Sequence, residues 1–454
     1  MVADAVSARA RTSIPYAGRL LLTLFLLALY VFGRRLPLPG IDVEAMLSLQ
    51  IGRNLWSVLS LDLTPLITGF ILVELFSLLT SPGRRLRRLG AAGRARLNRA
   101  ALITSLLVAG VQAAGISMWM ERVSSPGGSP IVAAPGFGFL LLVILTLTAA
   151  TAALFVLCQL ISAYGIGNGF ALVILLQIVM VILSSGVKGG LAAFDLSTFQ
   201  SLMLLLIVGL AVLVVRFFRT AEDAWMPAFP QGILPVQVAT AFSLLLWRWV
   251  GGSSGLWREV GSVADSFPLW TQELGQPVLA LLLIPLLSWG TFHLFSSRPR
   301  LRANLTDPDE LLDEIAAALR RRAVAATVLL TLGTAAFLAW RGYRPNVLAF
   351  SLRFVDVVVL VAIVLDLWDQ FRFQRGHGET ALLTQLDNVH FSYRLEEQLQ
   401  EEGIAALARG HQFRSLFFFF GPLYKIDMLV PAQQLDRARK VLAELEAERE
   451  VRVF

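Results

Sequence analysis

Glu74, Gln112, Gln159, Gln177, Gln237, Asp356 and Asp366 each stand inside an otherwise apolar stretch of this chain. An ionisable side chain in hydrocarbon is costly, so such residues are the first candidates for a proton relay or an ion path. Their spacing does not build one. Glu74 lies toward one end of its stretch, with Arg84 and Arg85 two to three turns further on, so pairing or snorkelling is expected. Asp356 and Asp366 fall near opposite ends of the last stretch. The first is expected beside headgroups and the second close to Arg372. No two acids meet at mid-depth.

Other reactive types are equally sparse. Cys158 is the one cysteine, so neither a disulfide nor a thiolate metal site can form within the chain. His293, His377, His390 and His411 show no ligand spacing. There is no HExxH and no Walker A sequence, and Ser184, Ser185 and Ser243 have no acid–base partner at depth. Gly165-Ile166-Gly167-Asn168-Gly169 lacks the preceding strand and the acidic residue of a dinucleotide fingerprint. Enzymatic chemistry, a cofactor and a metal are therefore not expected.

The elements that hold these residues are long and apolar. Of 454 residues, 56% are hydrophobic and 16% charged, and the mean hydropathy is +0.68. Apolar runs of roughly 20 residues recur, which is what a bilayer core about 30 Å thick requires of a helix. Ten spans are expected: 19–33, 61–80, 100–120, 136–162, 168–187, 198–216, 232–250, 276–296, 323–340 and 352–371. The first reads as a span rather than a cleaved signal, because no small-residue cleavage site follows it. The glycines at 165, 167 and 169 predict a tight reversal between spans four and five. An even count places both termini on one side. Twenty Arg/Lys fall on that side against ten on the other, led by seven arginines in a basic loop at 84–99, so both ends are expected in the cytoplasm. The net charge of +7 is thereby assigned to topology, with anionic lipid or ribosomal RNA as the partner of the basic patches, not DNA.

Several segments resemble the SecY/Sec61-alpha family of protein-conducting channels. Arg34-Arg35-Leu36-Pro37-Leu38-Pro39-Gly40-Ile41-Asp42 is similar to that family's continuation of its first helix. Leu63 to Ile71 resembles its second helix, and Gly93-Arg94 through Asn98, followed by Gln112, its basic loop and third helix. Gly165-Ile166-Gly167-Asn168-Gly169 is the most specific match, at the start of helix five, and Gln231 to Val236 resembles the start of helix seven. The matches lie in the family's order over residues 19 to 250.

The resemblance implies an all-α polytopic membrane protein with ten transmembrane helices in two pseudo-symmetric halves, about 1–195 and 196–376, around an hourglass pore with a lateral gate. A short apolar constriction excludes water and ions yet lets an extended polypeptide push through. By the resemblance, Leu63 and Ile67 fall near that ring in helix two, Ile174 and Ile178 in helix five, Gln237 in helix seven, and Val359 or Ile363 in helix ten. Simple packing or lipid contact remains the alternative for each. Residues 43–60 occupy the place of a plug helix, with Leu55, Trp56, Val58 and Leu59 facing the seal, or form an amphipathic turn.

The expected setting is the bacterial inner membrane, with SecE/SecG-like small subunits and a motor or ribosome as partners. Arg84, Arg85, Arg87, Arg88, Arg94, Arg320, Arg321 and Arg322 are the candidates for partner or lipid contact. The docking loops depart from the family. Arg219 to Pro230 lacks its basic strand, and 298–322 reads as an acidic turn followed by Arg320-Arg321-Arg322. Two functions stay open: a divergent translocation channel, or a non-conducting scaffold or sensor on the same bundle.

A linker at 377–387 is expected to lead into a small cytoplasmic α+β domain at 388–454. Strands are expected at Val389–Ser392, Ala405–Ala408, Ser415–Phe420 and Tyr424–Val430. Helices are expected at Tyr393–Glu402 and from Gln433 to about Arg449. Glu402-Gly403-Ile404, Leu429-Val430-Pro431 and Ala438-Arg439-Lys440-Val441-Leu442 resemble elements of small prokaryotic signal-transducing domains.

Overall fold

The computed structural model describes residues 16–48, 56–88, 90–123, 130–189, 198–219, 281–290, 309–343, 354–386, 389–417 and 424–451. The chain forms two units, Met1–Val173 and Ile174–Phe454.

The first unit holds α1 (Tyr16–Gly33), α2 (Val43–Ser48), α3 (Thr64–Leu79), α4 (Ser81–Arg88), α5 (Gly90–Met120), α6 (Phe137–Tyr164) and the start of α7 (Gly169–Gly189). Helix α5 packs against both α3 and α6, and α1 lies on α6. The reason is legible along α5. Ala101, Ser105, Ala109, Ala113 and Ser117 recur every four residues and all are buried. Small side chains on one stripe let helix backbones approach closely where lipid gives no hydrophobic drive between them. On another face Ile103, Leu107 and Val111 are 56%, 66% and 74% exposed, as an apolar solvent permits.

The basic stretch expected as a loop is helical. α4 carries Arg84, Arg85, Arg87 and Arg88, and α5 begins at Gly90, ten residues before the expected span. Arginine is a good helix former, so charge alone does not end a helix. The same correction applies to 309–322, which opens the 35-residue α9 (Asp309–Tyr343). At 1.5 Å per residue α9 is about 52 Å long, well beyond a bilayer core.

Among the described residues, four helical stretches are long and apolar enough to cross a membrane: Ala95–Met120, Phe137–Tyr164, Thr198–Phe218 and Arg320–Trp340. Shorter apolar helices cover Gly18–Gly33, Thr64–Ser77, Gly169–Met180 and Leu281–Gly290. The expected span 232–250 lies outside the described residues.

Between α1 and α3 the chain folds over the ends of α5 and α6. Bridges join Pro37 to Ser57 and Ile41 to Val132, and the Asp42 N–H donates to the Ile131 carbonyl at 2.8 Å. Leu38, Met46, Trp56, Leu61, Met120, Ile131 and Phe139 form one core there. Trp56 is thus buried in packing, Val58 and Leu59 are half-buried, and Leu55 lies outside the described residues.

The second unit contains α8 (Thr198–Arg219), α9 and α10 (Phe354–His377), with α8 packed on both others. Beyond α10 come β1 (Thr380–Leu386), α11 (Val389–Glu401), β2 (Leu407–Arg409), α12 (His411–Leu416), β3 (Ile426–Pro431) and α13 (Leu435–Val451). The sheet order is β1-β3-β2, antiparallel throughout, with Leu407 opposite Leu429 and Gln385 opposite Asp427.

Here the structure differs from the expectation in three places. The 377–387 segment holds β1. Val389–Ser392 is the first turn of α11 instead of a strand, and Ser415–Leu416 closes α12. Short apolar runs fit either period, and only packing decides. Phe413 and Phe417 stack with centroids 4.6 Å apart, a spacing of four that suits a helix. One face of the sheet packs Ile426, Met428 and Val430 against Leu395, Leu399, Ala438, Val441 and Leu445. All six residues of β3 are buried, so its other face is covered too, and β2 lies against α10.

Candidate functional site

In the first unit, Leu63 is buried at the residue that precedes α3, and Ile67, one turn on, is half-buried. What fixes them is polar. Asp62 sits at φ 53°, a left-handed conformation that Asp tolerates better than most residues. Its carboxylate accepts from the Tyr30 hydroxyl at 2.8 Å and pairs with Arg34 at 2.8 Å. Arg34 also donates to the Tyr30 oxygen at 2.9 Å. This trio, with Tyr30 buried and Arg34 and Asp62 half-buried, joins the end of α1 to the start of α3.

A second set of bonds ties α1 to the reversal between α6 and α7. Arg19 donates to the Gly165 carbonyl through Nη2 at 2.8 Å, and the Ile166 N–H donates to Thr23 Oγ1 at 2.9 Å. Asn168 Oδ1 accepts from the Phe170 N–H at 2.9 Å, capping α7. Gly167 turns the chain at φ 76°, where a side chain would be strained.

In the second unit, Ile174 is half-buried and Ile178 buried on α7. Val359 and Ile363 are buried on α10 at 4% and 2% exposure. With Asp366 and Gln370, also buried, they make a single stripe along that helix. Gln237 lies outside the described residues. Arg85, Arg320 and Arg321 are exposed and Arg322 half-buried. Arg84, Arg87, Arg88 and Arg94 are on described helix, but their side chains lie outside the described set.

The least anticipated arrangement is at Asp366. Its carboxylate is expected close to Arg372, near the inner face. Instead Oδ1 accepts the Gln412 N–H and Oδ2 the Phe413 N–H, each at 3.0 Å. The Gln412 side-chain amide donates to Asp369 Oδ2 at 2.9 Å. Gly410, the residue before α12, has no side chain with which to cap it. An acid from α10 therefore does the work of an N-cap for a helix 46 residues away.

Around it, Phe413 stacks on Tyr424 at 4.6 Å, and Arg409 pairs with Asp427, whose other oxygen accepts from Gln385 at 2.6 Å. Burial, together with the Asp366 and Asp427 charges and against Arg409, pushes the Tyr424 hydroxyl pKa well above its usual value. Such backbone-directed bonds leave no motif, and only the Asp366/Asp369 spacing marks one face of α10.

No group of three or more His, Cys, Asp or Glu side chains gathers for a metal among the described residues. The arrangement positions helices.

Comparison with known proteins gives a consistent direction. A family model described as SecY matches residues 57–224. The protein translocase subunit SecY of Rickettsia bellii is 28% identical over 239 residues, which is 47% of this chain and 53% of that protein. The SecY subunit of Aquifex aeolicus is 33% identical over 178 residues, 36% of this chain and 42% of its own length. The chain thus spans about half the length of these curated relatives. A solved structure of a protein-conducting channel is similar at a TM-score of 0.44 with 14% identity, covering 80% of this chain and 93% of that one.

Proposed function

We propose that this chain is a divergent member of the SecY family and a translocation channel that passes or laterally inserts unfolded polypeptide at the bacterial inner membrane. The observation that carries the reading is the SecY match over residues 57–224, which runs from Ser57 through α3 to the end of α8. The ties from Arg19 and Thr23 to Gly165 and Ile166 support it, because they fix α1 against the reversal that follows the matched α6. The work of such a bundle is conduction, not covalent chemistry.

In this reading ten spans enclose the passage, with both termini in the cytoplasm and the α+β tail on the same side. Leu63, Ile67, Ile174, Ile178, Gln237, Val359 and Ile363 contribute to an apolar constriction. Water avoids so narrow an apolar ring, while an extended chain displaces what little water is there. SecE/SecG-like subunits and a motor or ribosome are the partners the family likeness proposes. The arginines of α4 and Arg320 to Arg322 are the contacts this reading assigns to anionic headgroups or those partners.

One observation favours a second reading. Val359 and Ile363 are already buried on the stripe of α10 that also carries Asp366. If that stripe only packs, the bundle is a non-conducting scaffold. Proteoliposomes holding the chain with its companion subunits and a motor separate the two. A channel makes a secreted precursor resistant to external protease, and a scaffold leaves it fully digested.

A further inference from the structure

We infer that the C-terminal α+β domain is a clamp that holds α10 against α8, so that release of α12 is what frees the last span to move. This goes beyond the channel reading and stands whether or not the bundle passes a polypeptide.

Three observations meet at α12. It packs on both α8 and α10, which themselves pack together. Its N-terminus is capped from α10 by Asp366, through the Gln412 and Phe413 N–H groups at 3.0 Å each. Its side chains lock it into the tail, where Phe413 stacks on Phe417 and Tyr424, and His411 lies edge-on to Tyr393 with centroids 4.1 Å apart. One short helix thus touches two spans and the core of the tail.

The tail in turn depends on the spans. Every residue of β3 is buried, yet α11 and α13 cover only one face of the sheet. β2 lies on α10, so the membrane helix is part of the domain's own packing. A module swinging on a flexible tether would need a polar second face, and this one has Leu407 and Leu429 buried beside Arg409 and Asp427.

Asp366 is the switchable element. A carboxylate that accepts two backbone N–H groups binds strongly only in one geometry, and losing it leaves two buried donors without an acceptor. Separation is therefore all-or-none instead of gradual. Moving α12 off Asp366 would loosen α10 from α8 at the end nearest the tail.

The test uses the full chain in lipid nanodiscs, on a Cys158→Ala background. Spin labels go at Leu213 on α8 and Trp368 on α10, which are 55% and 59% exposed. The Asp366→Asn variant keeps the side-chain volume, and Asp366→Ala removes it. Hydrogen exchange at Gln412 and Phe413 reports whether α12 is still docked. The clamp predicts one narrow distance in the parent chain. In both variants it predicts a broadened distance and exchange at those two amides at least tenfold faster. Faster exchange with an unchanged distance would make the tail a passenger and overturn the inference. Unchanged exchange would do the same, by showing that Asp366 does not hold α12. Should Asp366→Ala fail to assemble, Asp366→Leu decides, because it keeps the branched shape and removes both acceptor oxygens.

Discussion

Asp366 of α10 accepts the backbone N–H of Phe413 at 3.0 Å, across 47 residues of chain. The acid in α10 thus completes a helix in the tail. A buried acid inside an apolar stretch reads first as a proton or ion site. Here its charge meets the positive end of a short helix, which accounts for it without transport chemistry.

Gly410 is the hinge of that arrangement. Its φ of 83° is open to glycine at no steric cost, and a Cβ there would strike the Tyr424 ring. Gly410→Val is expected to destabilise the tail by about 2 kcal/mol or more, through strain and lost stacking together. Thermal unfolding in detergent, followed by limited proteolysis of the tail, checks this. An unchanged melting profile would contradict it.

Gly69 makes a similar demand on the first unit. A Cβ at this position would collide with the Ser105 backbone and side chain on α5, and Ser105 donates to the Leu66 carbonyl at 3.2 Å. Gly69→Val should force α3 from α5 at a cost of about 1–3 kcal/mol. Gly69→Ala should cost less. The measurement is the loss of folded protein on heating, scored by size-exclusion chromatography, and equal stability of Val and parent chains would contradict the packing described.

Tyr424 gives the tail a pH dependence at the alkaline end. Its folded pKa is raised above the usual value of 10.0, chiefly by burial. The unfolded chain therefore loses that proton first as pH rises. Stability is full below pH about 10 and falls above it, by up to about 1.4 kcal/mol per pH unit from this one group. Because the chain has six tyrosines, the difference between parent and Tyr424→Phe is the quantity to follow. The variant should show a shallower alkaline decline of tail stability, and identical slopes would contradict the burial argument.

How far the sequence could be read depends on where each interaction lies. The reversal at 165–169 was legible because glycines at alternate positions permit few other paths. The basic 84–99 stretch was not, because arginines mark a side of the membrane without marking the end of a helix. In the tail, β1 was hidden in what reads as a linker, and Ser415–Leu416 fitted strand and helix alike. The ring candidates Leu63, Ile67, Ile178 and Val359 were proposed from family likeness, and local spacing alone cannot separate a pore-lining isoleucine from a packed one. Asp366 was visible as an anomaly, but its partners are peptide N–H groups, which every residue except proline carries.

The central claim is that a polypeptide travels through this bundle, and site-specific crosslinking tests it most directly. Photoreactive residues at Ile67, Ile178 and Gln237 should each attach to a secreted precursor arrested in transit, while one at the exposed Val111 should not. Attachment from all three constriction positions is the predicted result. No attachment from any of them, with precursor correctly targeted to the membrane, would contradict conduction and leave the scaffold.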